Sequence, residues 1–540
     1  MPMRPLLVLA TVTAVAAGVW LAPPASSEDR PDVSSAVFSD TSEPLRELDA
    51  APSPSDDGQD VVPQKPTPGE RIDDMLSGDL VPPSIPNPTG SAPDQQMPGI
   101  LQDFEGLNSR NGYLPPDTVG DVGPNHYVQM VNSSLQIFNK DGSTALGPVD
   151  SNTIWTDLGG DCATTNDGDP IVLHDQFADR WLVSQFSYSG AGLHECVAVS
   201  TSNDPTGSWH LYQFDYDSFP DYPKIGVWPD GYYVTYNMFD PDTFDYEGVK
   251  ICALDRNAMI AGDPATQQCR DLTTEWSMLP SDADGSTPPP LGSPNYILGE
   301  HWSDNDKLTM YKFHVDWDDP LNSSLEGPTY LQVDPFTWAC PEVSRGKCVP
   351  QPTTLQQLEV LGGRLMHRLA YRNFGTHESL VANHTVAMDG NLGQTAQTGI
   401  GWYEIRQPNA TQPQVYQQGT TADPDGATFR WMGSAAMDKQ GNMALGYSVS
   451  NATSTYPSIR FNGRKIWDPL NQLPQAESTI IAGAGTQENS SGRWGDYSSM
   501  NIDPSDDCTF WYTNEYMQNT SDANWQTRIA SFRFPGCDGT

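Results

Sequence analysis

Asp117-Thr-Val-Gly-Asp-Val-Gly-Pro-Asn-His-Tyr-Val128, Asp169-Pro-Ile-Val-Leu-His-Asp-Gln-Phe-Ala-Asp-Arg-Trp-Leu-Val183 and Tyr222-Pro-Lys-Ile-Gly-Val-Trp-Pro-Asp-Gly-Tyr-Tyr-Val234 share one plan. A polar or charged residue leads into a short apolar stretch, a turn of Gly, Asp, Asn or Pro follows, and an aromatic-rich run with period-2 alternation closes it. That pattern reads as consecutive strands joined by tight turns. The plan recurs in 295–313, 368–381, 430–447 and 493–512, which makes seven starts. Alternating runs such as Cys196-Val-Ala-Val-Ser200 and Trp209-His-Leu-Tyr-Gln-Phe214 follow the starts. Residues 101–540 shared among seven starts give about 63 each, enough for a four-stranded sheet with long connections. The expected fold is therefore all-β, a β-propeller of seven four-stranded blades over 101–540. A row of two or three β-sandwich domains is the competing arrangement; no Pro- or Ser-rich linker interrupts 101–540 to separate such domains. Only 354–361 has much helical character.

The chain has 540 residues, with 28 Lys and Arg against 69 Asp and Glu, a net charge of −41. Binding nucleic acid by broad phosphate neutralisation is excluded. With 15 Trp and 21 Tyr, material for a large core is ample. Met1 to Arg4 is a short basic start, 5–22 is apolar and uncharged, and Ala25, Ser26 and Ser27 are small. Residues 1–27 read as a secretory signal peptide, so the mature chain is expected outside the cell, without a membrane span and as a monomer. Residues 28–100 hold fifteen acidic against four basic residues, recurrent prolines and almost no aromatic. They are expected to be a disordered acidic spacer.

Eight cysteines suit an oxidising compartment: Cys162, Cys196, Cys252, Cys269, Cys340, Cys348, Cys508 and Cys537. No CxxC pair is present. Spacing alone leaves connectivity open, and sequential pairing is the expectation. For Cys508 and Cys537 there is a geometric reason, since each borders a strand-like run and antiparallel neighbours bring those ends together.

Two phrases, Pro-Pro-Asp-Thr-Val-Gly-Asp-Val-Gly-Pro-Asn-His-Tyr-Val-Gln at 115–129 and Arg-Trp-Gly-Asp-Tyr-Ser-Ser-Met at 493–500, resemble those of exported bacterial propellers of largely uncharacterised function. More distantly the chain is similar to the sialidase superfamily, whose blades carry a Ser-x-Asp-x-Gly-x-Thr-Trp turn. Ser202-Asn-Asp204-Pro-Thr-Gly207-Ser-Trp209 approaches that turn with one extra residue before the glycine.

In a propeller the innermost strands line the central channel, so residues at the unit starts converge on one mouth. Asp117, Asp169, Glu300 and Asp496 are the candidate catalytic carboxylates, with His301 and His367 as proton carriers. Asp121 joins them as a further acidic channel residue. Lys224, Arg368, Arg430 and Arg493, with Trp431 and Trp494, are candidates for binding an anionic glycan, because guanidinium groups grip carboxylate or sulfate bidentately and aromatic faces stack on sugars. The resemblance to sialidases, which hold a substrate carboxylate with three arginines, implies the same. The alternative is that these arginines pair with aspartates between blades. Asp240, Asp242, Asp245 and Glu247 crowd one loop and suggest calcium as cofactor. Serine-hydrolase, zincin and phosphate-loop phrases are missing from the sequence. Two functions follow: a secreted glycoside hydrolase or polysaccharide lyase acting on an acidic polysaccharide, or a non-catalytic propeller that binds a glycan or an extracellular protein.

Overall fold

The structure, a computed structural model, describes residues 30–48, 96–343, 346–388, 393, 395–423 and 426–537. The expected signal peptide lies outside the described residues, as does the spacer over 49–95.

The regular structure of the described chain is mainly antiparallel sheet. In sequence order the sheets run from first to last strand over 119–150, 171–215, 219–272, 279–332, 369–421 and 429–483. The last, over 499–533, takes Ile100–Asn108 as its outermost strand. The first strand of each sheet lies against the first strand of the next, and Ser499–Ile502 returns to Val119–Val122 to close the cycle. This is a β-propeller, and a row of separate sandwiches is overturned by that closed order. Alternation within strands explains the packing. In His194–Ser200, Val197 and Val199 face the third sheet, while Cys196 and Ala198 face the first.

Inner strands are also joined directly. His174 N donates to Asp121 Oδ2 (2.7 Å), Val227 N to Asp282 Oδ1 (2.9 Å), Met500 N to Ser434 Oγ (3.0 Å) and Gly120 N to Ser499 Oγ (3.4 Å). Between the fourth and fifth sheets the inner strands pair in parallel, Ser281↔Leu369 through Asp284↔Arg372.

All four disulfides follow the expected sequential pairing: Cys162–Cys196, Cys252–Cys269, Cys340–Cys348 and Cys508–Cys537. Among the described residues no helix is long and apolar enough to cross a membrane.

Two expectations need correction. Residues 354–361 are not helical; Leu358–Glu359 instead pairs with Lys347–Val349 inside an excursion between the fourth and fifth sheets. Among the described residues the α-helices are Gly160–Thr164 and Arg256–Ala261, the second started by Asp255, whose side chain accepts from Ala258 N. Nor is the 28–100 stretch spacer throughout. Asp32–Ser35 adds to the outer edge of the third sheet and Phe38–Thr41 to that of the second. Composition missed this strap because its pairing is main-chain, leaving Val33 and Phe38 exposed. Its apolar anchor is Leu45, buried in the main core.

Leu45→Ala is expected to cost about 2–4 kcal/mol in denaturant unfolding and to accelerate amide exchange over 32–41. Unchanged exchange there would show that the strap is held without its anchor.

Candidate functional site

Asp117 (φ 47°), Asp169 (φ 50°) and Ser277 (φ 44°), each just before a first strand, and Tyr222 (φ 58°), inside Phe219–Trp228 where its register shifts, are residues other than glycine in the left-handed region. That conformation is uncommon for such residues and is kept where surrounding contacts enforce it. Here the contacts are visible. Asp117 Oδ1 accepts from Asp496 N (2.7 Å) and its Oδ2 from Asn132 Nδ2 (2.8 Å), while Asn132 Oδ1 accepts from Asp169 N (2.9 Å). The starts of the first two sheets and the approach to the last are thus stitched together at one end of the channel.

Cations and aromatic rings fill the space beside them. Lys224 Nζ sits 3.4 Å from the Tyr222 ring centroid and 4.1 Å from that of Tyr497, and donates to Pro223 O (2.8 Å). The Tyr497 hydroxyl donates to Pro170 O (2.9 Å). The His367 ring lies 5.9 Å from Tyr497, and its buried Nε2 has no hydrogen-bond partner among the described residues. Burial, then the charges of Lys224 and Arg368, push the His367 pKa well below the usual histidine value, so the imidazole is neutral. Arg493 binds Asp496 (2.6 Å) and Glu359 (3.2 Å). Burial opposes its charge, but those carboxylates together with Asp117 and Asp169 outweigh it and raise its pKa. Glu515 accepts from Gly495 N and is driven towards its neutral form by burial. Glu195, fully buried behind this cluster, is pushed up to about 8; burial dominates, the Ser184 hydroxyl lowers it, Asp169 raises it and Lys224 lowers it.

The cluster is covered. Described residues 346–366 of the excursion lie across it: Glu359 reaches Arg493, Gln351 Nε2 donates to Gln487 O (2.9 Å), and Arg364 stands over Tyr222. None of Asp117, Asp169, Lys224, His367, Arg493 and Asp496 is more than 5% exposed.

Asp117, Asp169, Lys224, His367, Arg493 and Asp496 therefore lie together in one buried cluster. Other expected residues lie elsewhere. Arg368 is deeper in the channel, with Nε on Asp282 (2.7 Å) and a bidentate contact to Asp284, and Asp121 is beside it. Arg430 pairs within its own sheet with Glu477 (2.8 Å), which also accepts from Tyr447 and Arg460. The three arginines thus serve three separate sets of carboxylates. Trp431 and Trp494 are buried in the main core, ring centroids 5.6 Å apart, and present no face to a sugar.

Glu300 and His301 were placed by reading 295–313 as a sheet start. The inner strand is Leu279–Asp284, too polar to stand out, and Asn295–Glu300 is the second strand. Glu300 accordingly binds His384 Nδ1 (2.6 Å) and Trp338 Nε1 (2.9 Å), while His301 Nδ1 accepts from Asp304 N (3.0 Å) in a turn. In the loop suggested for calcium, Asp240 Oδ1 accepts from Asp242 N (2.9 Å) and Thr243 N (2.8 Å), and Asp245 accepts from the Thr243 hydroxyl (2.9 Å). Among the described residues no group of three or more His, Cys, Asp or Glu stands where it could hold a metal ion.

Sequence reasoning passed over Tyr222 and Tyr497, which sit inside the quoted phrases, and over Glu195, Glu359, Glu515, Trp276 and Arg364. For Glu195 there was a signal: a lone acid on the inward register of an otherwise apolar strand.

No family model matches the chain, and no curated protein matches it. Among solved structures, the endo-arabinase from Bacteroides thetaiotaomicron is 15% identical over 56% of this chain and 95% of that one, with a TM-score of 0.27. The phage phi92 endosialidase is 8% identical over 66% and 65%, at 0.34. Polysaccharide lyase Uly1 is 9% identical over 78% and 90%, at 0.32.

Because folding raises the Glu195 pKa from 4.5 to about 8, the native state holds a proton that the unfolded chain releases. Its stabilising contribution is complete below pH 4.5 and is lost as pH rises towards 8. Glu195→Gln is expected to flatten the fall in stability between those values, and at pH 8 to exceed the parent by up to about 5 kcal/mol. Parallel pH–stability curves for the two proteins would contradict the assignment.

Proposed function

We propose that this protein is a secreted propeller whose seven sheets are the blades of one ring, and that it acts on an acidic polysaccharide at the Lys224–His367 end of the channel. Of the two reactions open to such a site, elimination fits the side chains better than hydrolysis. Hydrolysis by paired carboxylates needs an acid and a base with free oxygens. Both Asp117 oxygens are taken by Asp496 N and Asn132 Nδ2, and Asp496 Oδ1 is taken by Arg493. Elimination at a uronate needs a neutral base and a nearby cation. His367 Nε2 would take the proton from the carbon next to the sugar carboxylate, and Lys224 would balance the charge gathering on that carboxylate. The bond to the leaving oxygen then breaks, a carbon–carbon double bond forms, and the leaving oxygen takes a proton from solvent. The observation that carries this reading is the buried, neutral, unpartnered His367 Nε2 beside a lysine.

A second reading, binding without turnover, is favoured by the cover that 346–366 places over the cluster. A panel of uronate polysaccharides, followed by the ultraviolet absorbance of unsaturated products, separates the two. Turnover is expected, reduced about 10²–10⁴-fold in His367→Ala and similarly in Lys224→Met. Since His367 stays neutral down to well below pH 6.5, the rate should hold through neutral pH and fall only in clearly acidic buffer. Full turnover by His367→Ala would remove the proposed base, and binding without product by the parent would establish the second reading.

A further inference from the structure

Arg364 differs from the other arginines near the channel. In a protein of net charge −41, the other arginines of the channel, Arg368 and Arg493, are each held by two carboxylates. Arg364 has no ion pair among the described residues, and its Nε is buried without a hydrogen-bond partner. Its guanidinium carbon lies 4.8 Å from the Tyr222 ring centroid and 5.0 Å from that of Trp276. Position is imposed by the backbone: Gly363 has φ 77°, and a Cβ on Gly362 would come within 2.7 Å of Ala339 O. Trp276 is half-buried, its ring edge-on to Tyr246 at 4.9 Å, in an aromatic rim that includes Phe219 and Phe239.

A guanidinium placed over two aromatic rings can direct N–H groups to an outside acceptor, and carboxylate or sulfate oxygens match that fork. The indole beside it is partly exposed, and aromatic surface of this kind packs against sugar rings. The aromatic contacts hold the arginine at modest cost, whereas leaving its buried Nε–H unmet is costly. An anionic ligand resolves that conflict.

We propose that Arg364 and Trp276 form a binding subsite for a sugar carrying a carboxylate or sulfate, Arg364 taking the anionic group and Trp276 the ring face. This deepens the reading of the Lys224–His367 mouth and rests on it for the saccharide class, though its test is binding and not turnover. The subsite would also explain how an acidic protein accepts an acidic sugar. Beyond about 8–10 Å the mutual repulsion is screened at physiological salt, and within that range an unpaired guanidinium meets the anion.

Calorimetry of the full-length protein with a tetragalacturonate, a chondroitin sulfate tetrasaccharide and an uncharged cellotetraose provides the test. Arg364→Ala is expected to weaken a charged oligosaccharide at least 10-fold without lowering the melting temperature by more than a few degrees. Arg364→Lys should recover part of that loss, and Trp276→Ala should weaken charged ligands with Arg364 present. Binding of the uronate alone, or of the sulfated sugar alone, assigns the anionic group; both support the subsite. The inference is overturned if neither charged sugar binds the parent, if cellotetraose binds it as tightly, or if Arg364→Ala melts early while affinity is unchanged, which would make Arg364 a clamp on 346–366. Loss of turnover in His367→Ala with calorimetric binding intact bears on the reaction alone, so the two readings fail separately.

Discussion

Apart from the fourth and fifth sheets, whose first strands pair with each other in parallel, the first strand of each sheet has an inner edge with no further strand to pair with. Its peptide groups are buried and must find partners. The ring solves this with short oxygen-bearing side chains on neighbouring inner strands: Asp121 takes His174 N, Asp282 takes Val227 N, Ser434 takes Met500 N and Ser499 takes Gly120 N. Each such bond is worth only about 0.5–1.5 kcal/mol when made, but a buried donor left without it costs about 1–3 kcal/mol. The interaction therefore fixes which residue types the inner strands can carry.

Using aspartate for this task brings carboxylates into the protein's centre, where burial raises Asp121 well above its ordinary range and raises Asp282 too. Arg368 answers that charge, bridging Asp282 and Asp284. Breaking such a buried set by removing one partner is far costlier than the set's net contribution to stability. Arg368 is accordingly committed to the ring itself. The same logic at the channel's end commits Arg493 to Asp496 and Glu359, and Asp117 to Asn132 and Asp496 N. What the ring does not consume there is limited: the neutral His367 and, nearer the surface, the aromatic-flanked Arg364. The proposed site is the remainder once structural pairing is subtracted.

That subtraction explains why the fold was more legible than the site. Alternation, turn residues and a repeated start are local, so 117–128, 169–183 and 222–234 marked inner strands correctly; the cysteines paired sequentially as expected, with strand position a reason only for Cys508–Cys537. Arg368, Arg430 and Arg493 fall 62 and 63 residues apart, close to the length of one unit, yet do not hold one place in it. Arg368 directly precedes Leu369–Asn373, Arg430 is the second residue of Phe429–Met437, and Arg493 lies in the loop before Ser499–Ile502. The same interval thus falls at three different places relative to the inner strand. Glu300 failed because 279–284, Leu-Pro-Ser-Asp-Ala-Asp, hides an inner strand under a polar sequence. Arg364 left no sequence signal, since what distinguishes it is the absence of a partner that only three dimensions can supply.

The outer edges of the sheets are the counterpart of the inner ones, and they account for the strap. An outermost strand exposes unpaired N–H and C=O groups that invite association with other chains. The first and fourth sheets end in strands carrying Gly147-Pro148 and Gly327-Pro328, where proline deletes a donor and interrupts the ladder. In the fifth, Gln418 N is met by Asn471 Oδ1 (3.0 Å), and in the sixth Gln96 bridges to Ala476. The outer strand of the last sheet is Ile100–Asn108, whose alternate residues are exposed and mostly polar. Trp209–Asp215 and Thr266–Leu272 have no proline, and these are the two strands that Phe38–Thr41 and Asp32–Ser35 cover. Sheets able to blunt their own edges do so by sequence, and the two that lack the device receive a strand from the N-terminal segment. The strap therefore takes its place from the edge chemistry of the second and third sheets, even though its own composition reads as spacer.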